Sequence, residues 1–250
     1  MGDPLVGWHA LPLPLGEDAG DEKETAVPGR AWCSRCGRPA AQDCLCSALP
    51  ERPLQCKEGT VIVLQHPLEC RRTLASVPLL AACLAVHVLR GRKYKAGTVL
   101  DDAIAAASRG ERPLFVLWPG DTARDIHSVA LSPAVSWTLV AFDGTWPQAG
   151  EMAKSFLPVL CGPGSVVQLA LSVNDPTLML RSEPAAGHVL TAEAVARAAA
   201  ALEAAATGDG AAAADLLTTV LAPLRLLVAL QRRHDALGKG VRARDTGGRS

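Results

Sequence analysis

Between residues 60 and 171 the chain alternates short apolar runs with helical stretches, and few architectures accept that rhythm. Residues 60–65 (TVIVLQ), 113–118 (PLFVLW), 136–142 (SWTLVAF) and 165–171 (SVVQLAL) are too short for helices and too continuously apolar for half-exposed strands. They read as strands covered on both faces, with residues 177–180 as one more. Residues 75–89, 100–107, 147–157, 191–206 and 211–237 are rich in Leu and Ala and read as helices. Thr191 is placed to cap the fourth of these, and Glu193 in its first turn suits the helix dipole. Buried strands separated by helices specify an α/β fold with a mostly parallel sheet flanked by helices. Ligands bind such sheets at the carboxyl ends of the strands, in the loops that lead to helices.

Composition narrows the class. Hydrophobic residues make up 49 % of the 250, enough for a sizeable core, whereas aromatics are only 4 %. Lys+Arg 25 balances Asp+Glu 25, which excludes a basic arm that binds nucleic acid by charge alone. The balance conceals an acidic leader: residues 1–29 hold six acids and one lysine. The remainder carries 24 basic and 19 acidic residues, a net of +5. No continuous apolar run approaches the ~20 residues that span a bilayer, and the first residues lack the pattern of a secretory signal. The expectation is a soluble intracellular protein with no membrane partner, in the cytoplasm, the nucleus or both.

Four of the eight cysteines fall within fourteen residues, as Cys33-x₂-Cys36-x₇-Cys44-x-Cys46. Two close thiol pairs joined by a short loop can converge on one tetrahedral zinc, and Gly37 permits the turn after the first pair. Four unrelated thiols are the alternative. A site closed by four thiolates is structural and helps a segment with little apolar core to fold. The expected organisation is a leader (1–30), a Cys₄ zinc-binding segment (31–56), a catalytic domain (57–237) and a short basic tail (238–250).

Chemistry-bearing residues gather at the ends of the predicted strands. Gln65-His66-Pro67 and Glu69 follow the first, with Arg71 and Arg72 beyond; Pro119-Gly120 follows the second. Asp143-Gly144-Thr145-Trp146 closes the third. An Asp there points into the ligand crevice, Gly144 lets backbone approach a ligand, and Thr145 is placed to cap the next helix. Trp146 either stacks on a flat ligand or fills core. Arg181-Ser182-Glu183-Pro184 follows a late strand, where an Arg can hold a carboxylate or phosphate. Read locally, each of these is equally a turn, a structural histidine or a surface ion pair. Neither a G-x-G-x-x-G nor a P-loop is present.

Taken in order, the motifs resemble the DTW-domain family. The resemblance rests on the cysteine cluster, Gln65-His66-Pro67-x-Glu69, Val77-Pro78-Leu79-Leu80, Trp118-Pro119-Gly120, Asp143-Gly144-Thr145-Trp146-x₂-Ala149, Arg181-x₂-Pro184 and Leu190-Thr191-x-Glu193-Ala194. It covers roughly residues 31–235. It implies a SPOUT-like fold of the trefoil-knot type and a tRNA-uridine aminocarboxypropyltransferase. S-adenosylmethionine would donate its 3-amino-3-carboxypropyl group to N-3 of a uridine, in the D-loop region of tRNA, and leave as methylthioadenosine. Asp143 would be the general base, with His66 in reserve. Pro119, Gly120, Asp143, Gly144, Thr145, Trp146, Arg181, Glu183 and Glu193 would line the donor site. Glu69, Arg71 and Arg72 would meet RNA, and Cys33, Cys36, Cys44 and Cys46 would hold zinc. Two departures stand out: Ala75-Ser76 replaces an Arg-Thr pair, and the basic tail is short. The rival readings are a methyltransferase using the same donor and a non-catalytic zinc-containing RNA adaptor.

Overall fold

The computed structural model describes residues 31–72, 75–160, 162, 165–169 and 190–246, which belong to two compact units, one ending at Cys46 and one beginning at Ser47. In the first, Gly37 turns the chain with φ 62°, its N–H donates to the Cys33 carbonyl at 2.8 Å, and Trp32 bridges Pro39. Only a residue without Cβ enters that left-handed turn at no steric cost.

Among the described residues the second unit holds six parallel strands: β1 (Gly59–Gln65), β2 (His87–Arg90), β3 (Leu114–Leu117), β4 (Arg124–Asp125), β5 (Trp137–Asp143) and β6 (Val166–Gln168), in the order β2-β1-β5-β3-β6-β4. The helices are α1 (Val77–Cys83), α2 (Val99–Ser108), α3 (Trp146–Leu160), α4 (Thr191–Thr207) and α5 (Gly210–Thr246). The α/β class and the parallel sheet expected from the sequence are therefore present. The predicted strand at 177–180 lies outside the described residues, and the described residues do not establish the knot that the resemblance implies.

The pleat of the two central strands sorts the core. Ile62, Leu64, Val140 and Phe142 pack with α2 and α3 through Leu100, Ala103, Met152, Ala153 and Phe156. Val61, Val63, Leu139 and Ala141 alternate with them onto the opposite face, where α4 meets β1 and β5 and packs in turn on α1 and α5. Gly59 and Trp137 start the two strands opposite each other. The fully buried indole fills the space of the missing side chain: a Cβ on Gly59 would lie 2.1 Å from Trp137 Cζ2.

Four expectations change. The helix predicted over 75–89 ends at Cys83; the backbone is extended at Leu84, which bridges Leu54, and His87–Arg90 pairs with β1 as an edge strand. The period-two pattern of Leu84, Val86 and Val88 was masked by the Leu/Ala run before it. Thr191 is not the cap of α4: it is the first helical residue, after Leu190, and Ser76 Oγ at the head of α1 accepts from Ala192 N–H at 3.3 Å instead. The cap thus comes from another element, which no local pattern reveals. β4 is too short and polar to have been read as a strand. Finally, residues 210–234 form a helix long and apolar enough, by length and composition, to cross a membrane, against the expectation that no such run exists. Leu216, Val220, Leu221, Leu224, Leu227 and Val228 of this helix are buried within the fold.

Candidate functional site

Because every strand runs the same way, the carboxyl ends of β1, β5, β3 and β6 share one edge of the sheet. Gln65 closes β1 directly opposite Asp143, which closes β5. Their side chains meet: Gln65 Nε2 donates to Asp143 Oδ2 at 2.9 Å, and both residues are buried. The next residue on β1 extends the ladder, His66 N–H donating to the Asp143 carbonyl at 2.8 Å. The buried His66 ring accepts from Leu68 N–H through Nδ1 at 3.3 Å, so its neutral form carries the proton on Nε2.

Glu69 is the unexpected member. It opens a 3-10 turn, Glu69–Arg71, and lies buried rather than turned to solvent. Arg72 Nε stands 3.2 Å from its Oε1. Burial pushes the Glu69 carboxyl above its ordinary range; Arg72 opposes the shift and the nearby Asp143 charge adds to it. Two carboxylates, a histidine and an arginine therefore converge on the β1 and β5 termini. Arg71 belongs to the same turn, and its side chain lies outside the described residues.

Beyond β5, Thr145 precedes α3 in the capping position. Its N–H donates to Gln148 Oε1 at 2.8 Å and its carbonyl accepts from Ala149 N–H at 2.7 Å, half of a capping box. Gly144 needs its missing side chain for α3, since a Cβ would meet Gln148 Cβ at 3.1 Å and Ala149 N at 3.3 Å. The glycine thus brings the first turn of the helix tightly onto the strand end.

An aromatic wall stands beside these groups. Trp146 opens α3 and is 47 % exposed; Trp118, just past β3, packs edge-on to Phe142 at 5.6 Å and lies 6.1 Å from Trp146. Pro119 and Gly120 follow, exposed, with Gly120 N–H donating to Gln168 Oε1 at 3.3 Å across to β6. Glu193, in the first turn of α4, is buried and held at Oε1 by Arg197 Nε and Nη2 at 2.9 and 2.8 Å. Arg181 and Glu183 lie outside the described residues. Gln65 and Trp118 are the members sequence reasoning did not single out for a role. Each sits at a strand end beside a residue that was singled out, and that shared position is the signal.

In the cysteine unit the four Sγ atoms lie within 4.8 Å of one another, with Cys33–Cys46 at 3.4 Å and Cys36–Cys44 at 3.8 Å. A tetrahedral ion with Zn–S of about 2.3 Å requires S···S edges of about 3.8 Å, so the cluster fits one such ion. The backbone N–H groups of Cys36 and Arg35, with the Cys46 sulfur, hold the Cys33 thiol down to about 6; burial and the neighbouring sulfurs push Cys46 up to about 12.

The DTW domain model matches residues 30–232. This chain belongs to the DTW-domain family. Among its relatives, tRNA-uridine aminocarboxypropyltransferase 2 of Macaca fascicularis is 31 % identical over 90 % of this chain and 76 % of its own length. tRNA-uridine aminocarboxypropyltransferase A of Arabidopsis thaliana is 32 % identical over 73 % of this chain and 76 % of its own. The Mus musculus tRNA-uridine aminocarboxypropyltransferase 2 is 39 % identical over 49 % of this chain, a match that spans 41 % of that protein. No solved structure matches the chain significantly. The family's name-giving Asp143, Thr145 and Trp146 are thus the residues that close β5 and open α3.

Proposed function

We propose that the chain is a tRNA-uridine aminocarboxypropyltransferase that moves the 3-amino-3-carboxypropyl group of S-adenosylmethionine to N-3 of a tRNA uridine. The observation that carries this reading is the Gln65–Asp143 pair at the adjoining carboxyl ends of β1 and β5, in a chain of the DTW-domain family. When bound, the donor supplies an electrophilic γ-carbon and a sulfonium leaving group, and departs as methylthioadenosine.

The protein's tasks are then to position two molecules and to accept one proton. Uridine N-3 is protonated at neutral pH and attacks poorly until that proton leaves. Asp143, oriented by Gln65, is the base that takes it. The His66 ring, with Nδ1 occupied, serves as a donor beside it. Trp118, Pro119, Gly120 and Trp146 offer a flat and partly open wall for the adenosine, with Arg181, Glu183 and Glu193 completing the donor site. Arg72, paired with Glu69 and partly exposed, meets an RNA phosphate, and the family resemblance assigns Arg71 the same role. Most of the acceleration comes from holding donor and acceptor in line. In the cysteine unit, Cys33, Cys36, Cys44 and Cys46 hold one Zn²⁺ with no open position, a structural role.

The test is direct. The purified chain, S-adenosylmethionine and unmodified tRNA are incubated, and the nucleosides and adenosine by-product are weighed. Aminocarboxypropyl-uridine with methylthioadenosine is the expected result. Methylated base with S-adenosylhomocysteine would replace this reading with a methyltransferase. Zinc and tRNA binding with no affinity for the donor would replace it with an adaptor.

A further inference from the structure

From the last residue of β2 the chain reads Arg90-Gly91-Arg92-Lys93-Tyr94-Lys95, four cations in six residues with no acid before Asp101. Arg90, Arg92, Lys93 and Lys95 are exposed. Among the described residues Arg90, Lys93 and Lys95 enter no ion pair, and Arg92 reaches Glu151 only at 3.8 Å.

The loop is pinned through its one aromatic residue. Tyr94 packs edge-on to Phe156 of α3, its N–H donates to Ser155 Oγ at 3.4 Å, and its hydroxyl donates to Asp101 of α2. Three anchors on two helices turn Tyr94 inward and leave its cationic neighbours in solvent. The loop also belongs to the crevice edge: Gly91 N–H donates to the Gln65 carbonyl at 3.1 Å, and Arg90 stands in register with Gln65, itself in register with Asp143. Two strand spacings separate Arg90 from Asp143, about 10 Å between backbones. Charges that merely protect an edge strand from pairing lie along the strand. Here three of the four lie past its end, on the side of the crevice.

We infer that the Arg90–Lys95 loop is a docking surface for the phosphate backbone of the tRNA whose uridine enters at Asp143. The inference rests on the proposed function and names the part of the chain that grips the acceptor. A polyanion is the occupant that matches four exposed cations of which, among the described residues, only Arg92 has a counter-charge, Glu151 at 3.8 Å, and the loop tracks the strand a nucleotide or two from the reacting base.

The experiment compares the full-length chain with the triple variant Arg90→Gln/Lys93→Gln/Lys95→Gln and, as a control at the opposite end of the sheet, Arg109→Gln. Binding of an unmodified tRNA transcript is measured from about 50 to 200 mM salt, alongside steady-state transfer. All three side chains are exposed, so the variant should keep the thermal midpoint of the parent chain. The expected result is a salt slope shallower by about 2 to 3, affinity at low salt reduced roughly ten-fold or more, and a raised KM for tRNA. The kcat and the KM for S-adenosylmethionine should stay unchanged, with Arg109→Gln silent throughout. Parent-like slope and affinity in the triple variant overturn the inference, as does a parent chain that binds no tRNA. A parent chain that binds tRNA with a steep slope but transfers nothing overturns the proposed reaction, while the slope difference still supports the surface.

Discussion

Replacing Gln65 with Leu tests whether the β1–β5 termini form a working pair. Leucine keeps most of the glutamine's volume and removes the amide that donates to Asp143 Oδ2 at 2.9 Å. Asp143 is only 6 % exposed, so water cannot readily take the vacated place. A hydrogen bond to a charged group contributes about 1.5–3 kcal/mol, and a stranded buried acceptor costs a similar amount. The expected loss is about 2–3 kcal/mol, which for a unit of this size lowers Tm by roughly 4–12 °C. Urea unfolding measures it. On an Asp143→Asn background the same substitution removes only a neutral bond and should cost about 1 kcal/mol, which leaves about 1–2 kcal/mol of coupling in the double-mutant cycle.

The kinetic consequence separates a structural pair from a functional one. A carboxylate released from its partner loses its fixed orientation, so kcat should fall roughly ten- to hundred-fold, part of what a positioned base provides. The KM for the donor should change by no more than a small factor. Gln65→Glu sharpens the test: it sets a second carboxylate against Asp143, and its stability should recover on acidification as the pair shares a proton. A Gln65→Leu variant within about 0.5 kcal/mol of the parent chain, with its kcat intact, would refute the reasoning.

Gly59→Ala drives a Cβ into the Trp137 ring, with ring carbons at 2.1, 2.3 and 2.6 Å, so about 1–3 kcal/mol of destabilisation is expected in urea unfolding, relieved when Trp137→Phe is added. Metal analysis of the purified chain should return one zinc ion per molecule, and Cys36→Ser should lose most of it. Glu69 has a raised carboxyl pKa in the folded state, so its contribution is fully present below the unfolded value and is lost as pH rises through the folded one. Glu69→Gln cannot ionise, and its stability relative to the parent chain should therefore climb as pH rises above the ordinary carboxylate range in parallel unfolding curves. Trp146→Ala removes a half-exposed ring, so stability should change little while the KM for the donor rises several-fold and Trp146→Phe restores it; unaltered donor binding would take Trp146 out of the site.

The strand ends were legible because a strand covered on both faces announces itself as an unbroken apolar run, and the residue that breaks the run is the one at the crevice. Asp143 and the Gln65-His66 step were found in that way. What one chain cannot announce is which runs are neighbours: β1 and β5 are separated by more than seventy residues, and only their adjacency turns Gln65 from a strand terminus into the partner of Asp143. Glu69 was read as part of a loop polar enough to line a site; what the sequence could not show is that the 3-10 turn carries its carboxyl inward, beside Asp143. The error over residues 75–89 had the widest effect. With β2 absorbed into a helix, nothing in the sequence set Arg90 beside Gln65 on the crevice edge.

The pleat of β5 explains how one strand end serves a reaction with two substrates. Phe142 turns toward α3 and meets Trp118, which in turn lies against Trp146; Asp143, the next residue, alternates to the other face and meets Gln65. An aromatic wall and an acidic wall are thus built one residue apart on a backbone too well paired to shift, with β1 on one side and β3 on the other. On the proposed reading the flat adenosine rests against the first wall and the uridine imide faces the second, so the spacing between the reacting atoms is set by the strand itself. Gly144 then brings α3 down at once, since any side chain there would push the helix, and Trp146 with it, away from the strand end. The order Asp, Gly, Thr, Trp follows from that geometry: a carboxylate on one face, a residue small enough to turn, a cap to start the helix, and a ring returned to the opposite face.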